Sequence, residues 1–131
     1  MNNVMFREGT ATDFPSLARI ISKEQAWTSF GIDYEKAIEL FAKMEDKVFV
    51  AEFEGQIIGF ITLRPNGMGT LGSYIRMLEV AEEYRGKGIG AKMIGFISEI
   101  ASGYMPNLFL ICSGENKDAQ RFYARMGFEK V

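Results

Sequence analysis

Three glycines at alternate positions, Gly86, Gly88 and Gly90, stand between a β-rich run and a helical one in "SYIRMLEVAEEYRGKGIGAKMIGFI". Glycine inside a helix costs about 1 kcal/mol against alanine, so a cluster at a helix mouth marks a turn with a task. A strand that feeds such a turn into a helix presents unpaired main-chain N–H groups and the positive end of the helix dipole. That arrangement suits a phosphate or diphosphate, as do the basic flanks Arg85 and Lys87.

The rest of the chain supplies a sheet and helices around this turn. Residues 1–7 read as an edge strand. Asp13 is the expected N-cap of a first helix, with Pro15 in its first turn and Leu17, Ile20 and Ile21 as its apolar stripe, running to about Gln25. Ala26 to Ile32 lacks a period and reads as a loop. Asp33 caps a second helix, in which Tyr34, Ala37, Ile38 and Phe41 recur at helical spacing. Two β-rich runs around Glu54 and Gly55 predict a hairpin, and Tyr74 to Val80 a third strand.

After the glycines, Ile89, Met93, Phe96, Ile97 and Ile100 form one helical face. Asn107 to Cys112 is an apolar run suited to a strand covered on both sides, which makes Cys112 a small core residue rather than a nucleophile. Asn116 caps a last helix, closed by Gly127 at C′. The order β α α β β β α β α β predicts an α/β (mixed α+β) fold in one domain spanning residues 1–131, with the last two helices as crossovers between strands.

Composition narrows the chemistry. The chain of 131 residues has no histidine, one cysteine and a formal net charge of -2. Histidine triads, His-based zinc sites and an internal disulfide are excluded, and proton transfer falls to Glu, Asp, Tyr, Lys or water. The near-neutral charge disfavours nucleic acid and anionic membranes, and no signal-peptide or membrane-spanning run is present. These features predict an unexported, cytoplasmic protein.

Two phosphate motifs fail against the glycine stretch. A P-loop starting at Gly86 requires glycine at 91 and Ser or Thr at 93, where Ala91 and Met93 stand; a dinucleotide fingerprint lacks its last glycine. The pattern R-x-x-G-x-G is met by Arg85, Gly88 and Gly90 within "YRGKGIG". This stretch resembles the coenzyme A diphosphate loop of the GNAT superfamily of N-acetyltransferases. Downstream, "NKDAQRFYARMGF" resembles that family's N-x-x-A-x-x-F/L-Y-x-x-x-G-F segment at Asn116, Ala119, Phe122, Tyr123, Gly127 and Phe128. The predicted element order is similar to that fold across nearly the whole chain.

The resemblance implies a mixed, mostly antiparallel sheet of about six strands flanked by four helices and splayed between the fourth and fifth strands. It implies acetyl-coenzyme A as donor, held by Leu78, Val80, Arg85, Gly86, Lys87, Gly88, Ile89, Gly90, Asn116 and Tyr123, and as acceptor the primary amine of a small molecule, with a protein amine as the second choice. In the family the tyrosine equivalent to Tyr123 protonates the departing thiolate; from the residues alone the reading is a core tyrosine beside Phe122 and Ala119. Glu79 or an ordered water is the expected base, with a salt-bridged strand glutamate as the plainer reading. Trp27, Thr28, Tyr34 and Tyr74 border the expected acceptor site.

The sequence runs three residues past Phe128, where the resemblance implies a further strand, so a shortened final strand is expected. That leaves an acceptor pocket that is open, completed by a second subunit in a homodimer, or absent. The alternative function is a non-catalytic acyl-coenzyme A-binding module of the same fold.

Overall fold

The computed structural model describes residues 2–131. Five strands, β1 (Met5–Glu8), β2 (Lys47–Phe53), β3 (Gln56–Arg64), β4 (Ser73–Val80) and β5 (Leu108–Leu110), form one sheet in sequential order. The first four are antiparallel and β4 pairs with β5 in parallel. The β2–β3 hairpin turns at Glu54 and Gly55, both at positive φ, the conformation that matches strand twist in a two-residue turn.

Helices α1 (Phe14–Ser22) and α3 (Tyr34–Lys43) cover one face of the sheet, where Leu17, Ile21 and Phe41 meet Val50, Phe60 and Met77. Helix α4 (Ile89–Ala101) covers the other, with Ile94 and Ile97 packed on Phe49, Ile61, Leu63 and Ile75. The expected α4 stripe is buried at Ile89, Met93 and Ile97. Helix α5 (Lys117–Arg125) is capped as expected, Asn116 accepting from the Ala119 N–H at 3.0 Å. Asp33 caps α3 in the same way, from the Lys36 N–H at 2.9 Å.

The structure departs from the sequence reading at several points. The sheet has five strands, not about six, because the residues after α5 are tied back to that helix. The N–H of Gly127 bonds to Ala124 O and that of Phe128 to Tyr123 O, both at 3.0 Å, while the Phe128 ring packs on Tyr123. This Schellman closure leaves no sixth strand among the described residues, so only α4 is a crossover. Strand β5 is short and half-buried at the sheet edge, and Ile111 beyond it is 81% exposed. Cys112 therefore lies outside the strand and outside the core.

The loop expected at Ala26 to Ile32 starts with one helical turn, α2 (Gln25–Thr28), in which the N–H groups of Trp27 and Thr28 bond to Glu24 O. Helix α1 ends sooner than expected, at Ser22. Asp13 stands at the N-cap position, as expected, but its side chain makes no capping bond: a 3₁₀ turn, Ala11–Asp13, precedes the helix, and the carboxylate accepts instead from the Thr10 N–H and from both Nη atoms of Arg7. Of the expected first strand, Met1 lies outside the described residues.

Candidate functional site

Strands β4 and β5 pair only at Ser73–Ile75 with Leu108–Leu110, after which β4 runs on to Val80 without a neighbour on that side. The splay opens a cleft of about 1350 Å³ between Leu78–Val80, the glycine turn, α5 and α2. A smaller cavity of about 490 Å³ lies by the β2–β3 turn, and among its lining residues Arg7 is paired with Asp13 and Glu52. The chemistry collects in the larger one.

At its closed end a bulge interrupts the β3–β4 ladder. Ile61 pairs with Leu78 and Leu63 with Ile75, so Arg76 and Met77 oppose Thr62 alone, and Thr62 Oγ1 accepts the Met77 N–H at 3.0 Å. Beyond the bulge, the Ala81 N–H bonds to Ile58 O. Antiparallel alternation then turns the amides of Glu79 into the β3 ladder and those of Leu78 and Val80 toward the open edge. Glu79's side chain shares the α1–α3 face with Met77.

The glycine turn follows. Gly86 and Gly88 have φ of 76° and 81°, which an L side chain adopts only under strain; Gly90 has ordinary φ and instead lets α4 start close to Phe122 of α5. None of the main-chain N–H groups from Gly86 to Ala91 has an acceptor among the described residues; the first N–H of α4 to be bonded back is that of Lys92, to Gly88 O at 3.1 Å. Six successive donors at a helix N-terminus match the demands of a diphosphate in number and sign.

Arg85 departs from the expectation that its charge faces the ligand. Its guanidinium pairs with Glu24, and its Nε donates to Val80 O at 3.0 Å, fastening the turn to the end of β4 and to the chain before α2. Lys87 is exposed and does not line the cleft.

Glu79 and Tyr123 face the same cleft. Burial pushes the Glu79 carboxyl above the ordinary glutamate range; the Trp27 indole, donating from Nε1 to Oε1 at 2.8 Å, opposes that shift, the Glu24 charge adds to it and Arg85 opposes it. Burial pushes the Tyr123 phenol up to about 12, with Cys112 and Glu79 reinforcing it. The Tyr123 hydroxyl has no hydrogen-bond partner among the described residues, and its raised pKa keeps it a neutral donor at neutral pH.

Of the other expected residues, Trp27, Ile89 and Asn116 line the cleft, whereas Thr28, Tyr34 and Tyr74 do not. Tyr74 instead lies under Arg76, with Cζ 5.9 Å from the ring centroid. Sequence reasoning missed Arg76, Phe30 and the place of Cys112, all on the cleft wall. The thiol of Cys112 is 3.7 Å from Ser113 O. Only the alternation of β4 held a signal for Arg76, and the bulge shifts that alternation.

A profile described as the acetyltransferase (GNAT) family matches residues 14–128, which include β4, the glycine turn and α5. The chain belongs to this family. An uncharacterised N-acetyltransferase of Methanocaldococcus jannaschii is 35% identical over 100 residues, 70% of this chain and 42% of that protein. The 5-NmdU N-acetyltransferase of Pseudomonas phage PaMx11 is 35% identical over 81 residues, 62% of this chain and 56% of that one. The GNAT chain thus spans about half the length of these two relatives. The PaiA N-acetyltransferase of Thermoplasma acidophilum, solved with coenzyme A, shares the fold with a TM-score of 0.75 at 19% identity, over 97% of this chain and 90% of that one.

Proposed function

We propose that this GNAT chain is a cytoplasmic, acetyl-coenzyme A-dependent N-acetyltransferase whose acceptor is the primary amine of a small molecule. The observation that carries the reading is one cleft in which a turn of unsatisfied amides, five of whose residues (Gly86, Gly88, Ile89, Gly90 and Ala91) line the wall, meets a carboxylate and a phenol whose protonation is shifted by burial. Relatives named as N-acetyltransferases support nitrogen as the acceptor atom. No helix among the described residues is long and apolar enough to cross a membrane.

When bound, the coenzyme A thioester supplies an activated acetyl group. The amides of residues 86–91 would hold its diphosphate, and the cleft-facing amides of Leu78 and Val80 its pantetheine arm, as an added strand does at a free edge. Of these, the Val80 N–H is suited to polarise the thioester carbonyl.

An alkylamine with pKa about 10.4 is almost wholly protonated at neutral pH, so its nitrogen must lose a proton before it forms a bond to the acetyl carbon. Glu79 accepts that proton, directly or through a water, and its raised pKa makes it the stronger base. Tyr123 holds the proton that the sulfur takes up as the C–S bond breaks. Burial keeps the phenol protonated throughout the neutral range.

Thiol release from acetyl-coenzyme A with a panel of amines tests this reading. Release matched one-for-one by acetylated amine is expected. Tight coenzyme binding with no release for any amine would leave a binding module instead.

A further inference from the structure

Arg76 is a cleft cation that this chemistry leaves unused. Its Nε donates to Oδ2 of Asp46 at 3.0 Å, and the Nε of Arg64 donates to Oδ1 at 2.9 Å. The Asp46 side chain is 0% exposed, so a buried carboxylate anchors two guanidiniums, and one net positive charge remains. Arg64 does not line the cleft; Arg76 does, with its side chain 39% exposed. Only Nε of Arg76 is hydrogen-bonded, which leaves both Nη groups without an acceptor among the described residues. The Tyr74 ring beside the guanidinium restricts it further.

A guanidinium held at its Nε presents its outer fork already oriented, which lowers the entropic cost of gripping a planar or tetrahedral anion. The diphosphate is provided for elsewhere, by the glycine turn beyond the far end of β4. Arg76 and Glu79 are three residues apart on that strand, about 10 Å between Cα atoms at the usual strand rise and less across the bulge. Both residues line the same cleft, so one acceptor molecule several bonds long spans them.

We propose that Arg76 binds an anionic group of the acceptor, so that the substrate class is a primary amine carrying a carboxylate or phosphate several bonds from the nitrogen. The proposal rests on the acyl-transfer reading for the role of Glu79, but its own content is a binding preference, and binding can be measured without turnover.

The test is calorimetric binding to the full chain saturated with coenzyme A. The probes are ω-amino carboxylates of three to six carbons, the matching ω-aminoalkyl phosphates, and the matching alkylamines. At least one series carrying the anionic group should bind ten-fold or more tightly than the matching alkylamine, as a charge-assisted bidentate contact provides. The two anionic arms tell which group is taken. Arg76→Gln should bring that ratio to within two-fold of one, while Arg76→Lys, which keeps charge but not the fork, should retain part of it. Asp46 keeps Arg64 in either variant, and a thermal melt confirms folding.

Equal binding of the anion-bearing amines and the plain alkylamines, or no binding by any, overturns the proposal, as does a preference that survives Arg76→Gln. Anionic preference without thiol release would uphold Arg76 and refute the acyl-transfer reading.

Discussion

The indole Nε1 of Trp27 donates to Oε1 of Glu79 at 2.8 Å, joining the single turn α2 to the middle of the cleft. The bond favours the ionised carboxylate and works against burial, which raises the pKa. A base acts when deprotonated, so kcat/KM should fall as pH drops through the raised Glu79 value, above the ordinary carboxylate range. Trp27→Phe removes a contribution that lowers the pKa, and the acid limb of the kcat/KM profile should move to still higher pH. An unmoved limb would show that Glu79 is not the group titrating.

Tyr123→Phe should lower kcat by about 100-fold or more, the usual scale for a lost general acid, and leave coenzyme affinity within a few-fold. The ring contacts with Phe122 and Phe128 persist in the variant, which keeps the fold effect small. Unchanged kcat with a lowered melting temperature would return Tyr123 to a packing role.

Gly88 sits at φ 81°, and a Cβ there would meet no atom within 4 Å. The cost of Gly88→Ala is therefore conformational, about 1–2 kcal/mol, and it falls on the geometry of the turn. Coenzyme A affinity should drop by at least ten-fold, measured by calorimetry. Gly95→Ala, on the exposed side of α4 and clear of neighbouring atoms, should leave affinity unchanged.

Asp13 is buried and takes both Nη atoms of Arg7, which holds its carboxyl below the ordinary aspartate range. A depressed acid contributes stability that is complete above its unfolded pKa and lost as pH falls through the folded value. Asp13→Asn should cost about 2 kcal/mol at pH 7, with the difference from the parent chain shrinking below about pH 4. A gap independent of pH would mean that charge is not its source.

What was legible in the residues is what local rules dictate. The strand, glycine turn and helix around Gly86 and Gly88 follow from backbone freedom and an apolar period, and the caps at Asp33 and Asn116 from their own side chains. What escaped depends on distant partners. Asp13 reads as a helix cap until Arg7 is placed beside it, and Arg85 reads as a ligand for an anion until Glu24 is seen to hold it. The bulge opposite Thr62 brings Arg76 to the face of Glu79, where strict alternation along β4 would not put it, and Tyr74, set beside the acceptor by the resemblance, packs on Arg76 without lining the cleft. The length of β5 depends on β4 for a partner, and apolar content alone overstates it.

The proposed grip on the coenzyme diphosphate is the run of amides of residues 86–91. Backbone amide NMR during titration with coenzyme A tests this most directly. The largest shift changes should fall on Gly86 to Ala91, with smaller ones at Leu78 and Val80. Saturable binding that leaves the resonances of 86–91 where they were, and moves those of another surface instead, would contradict it.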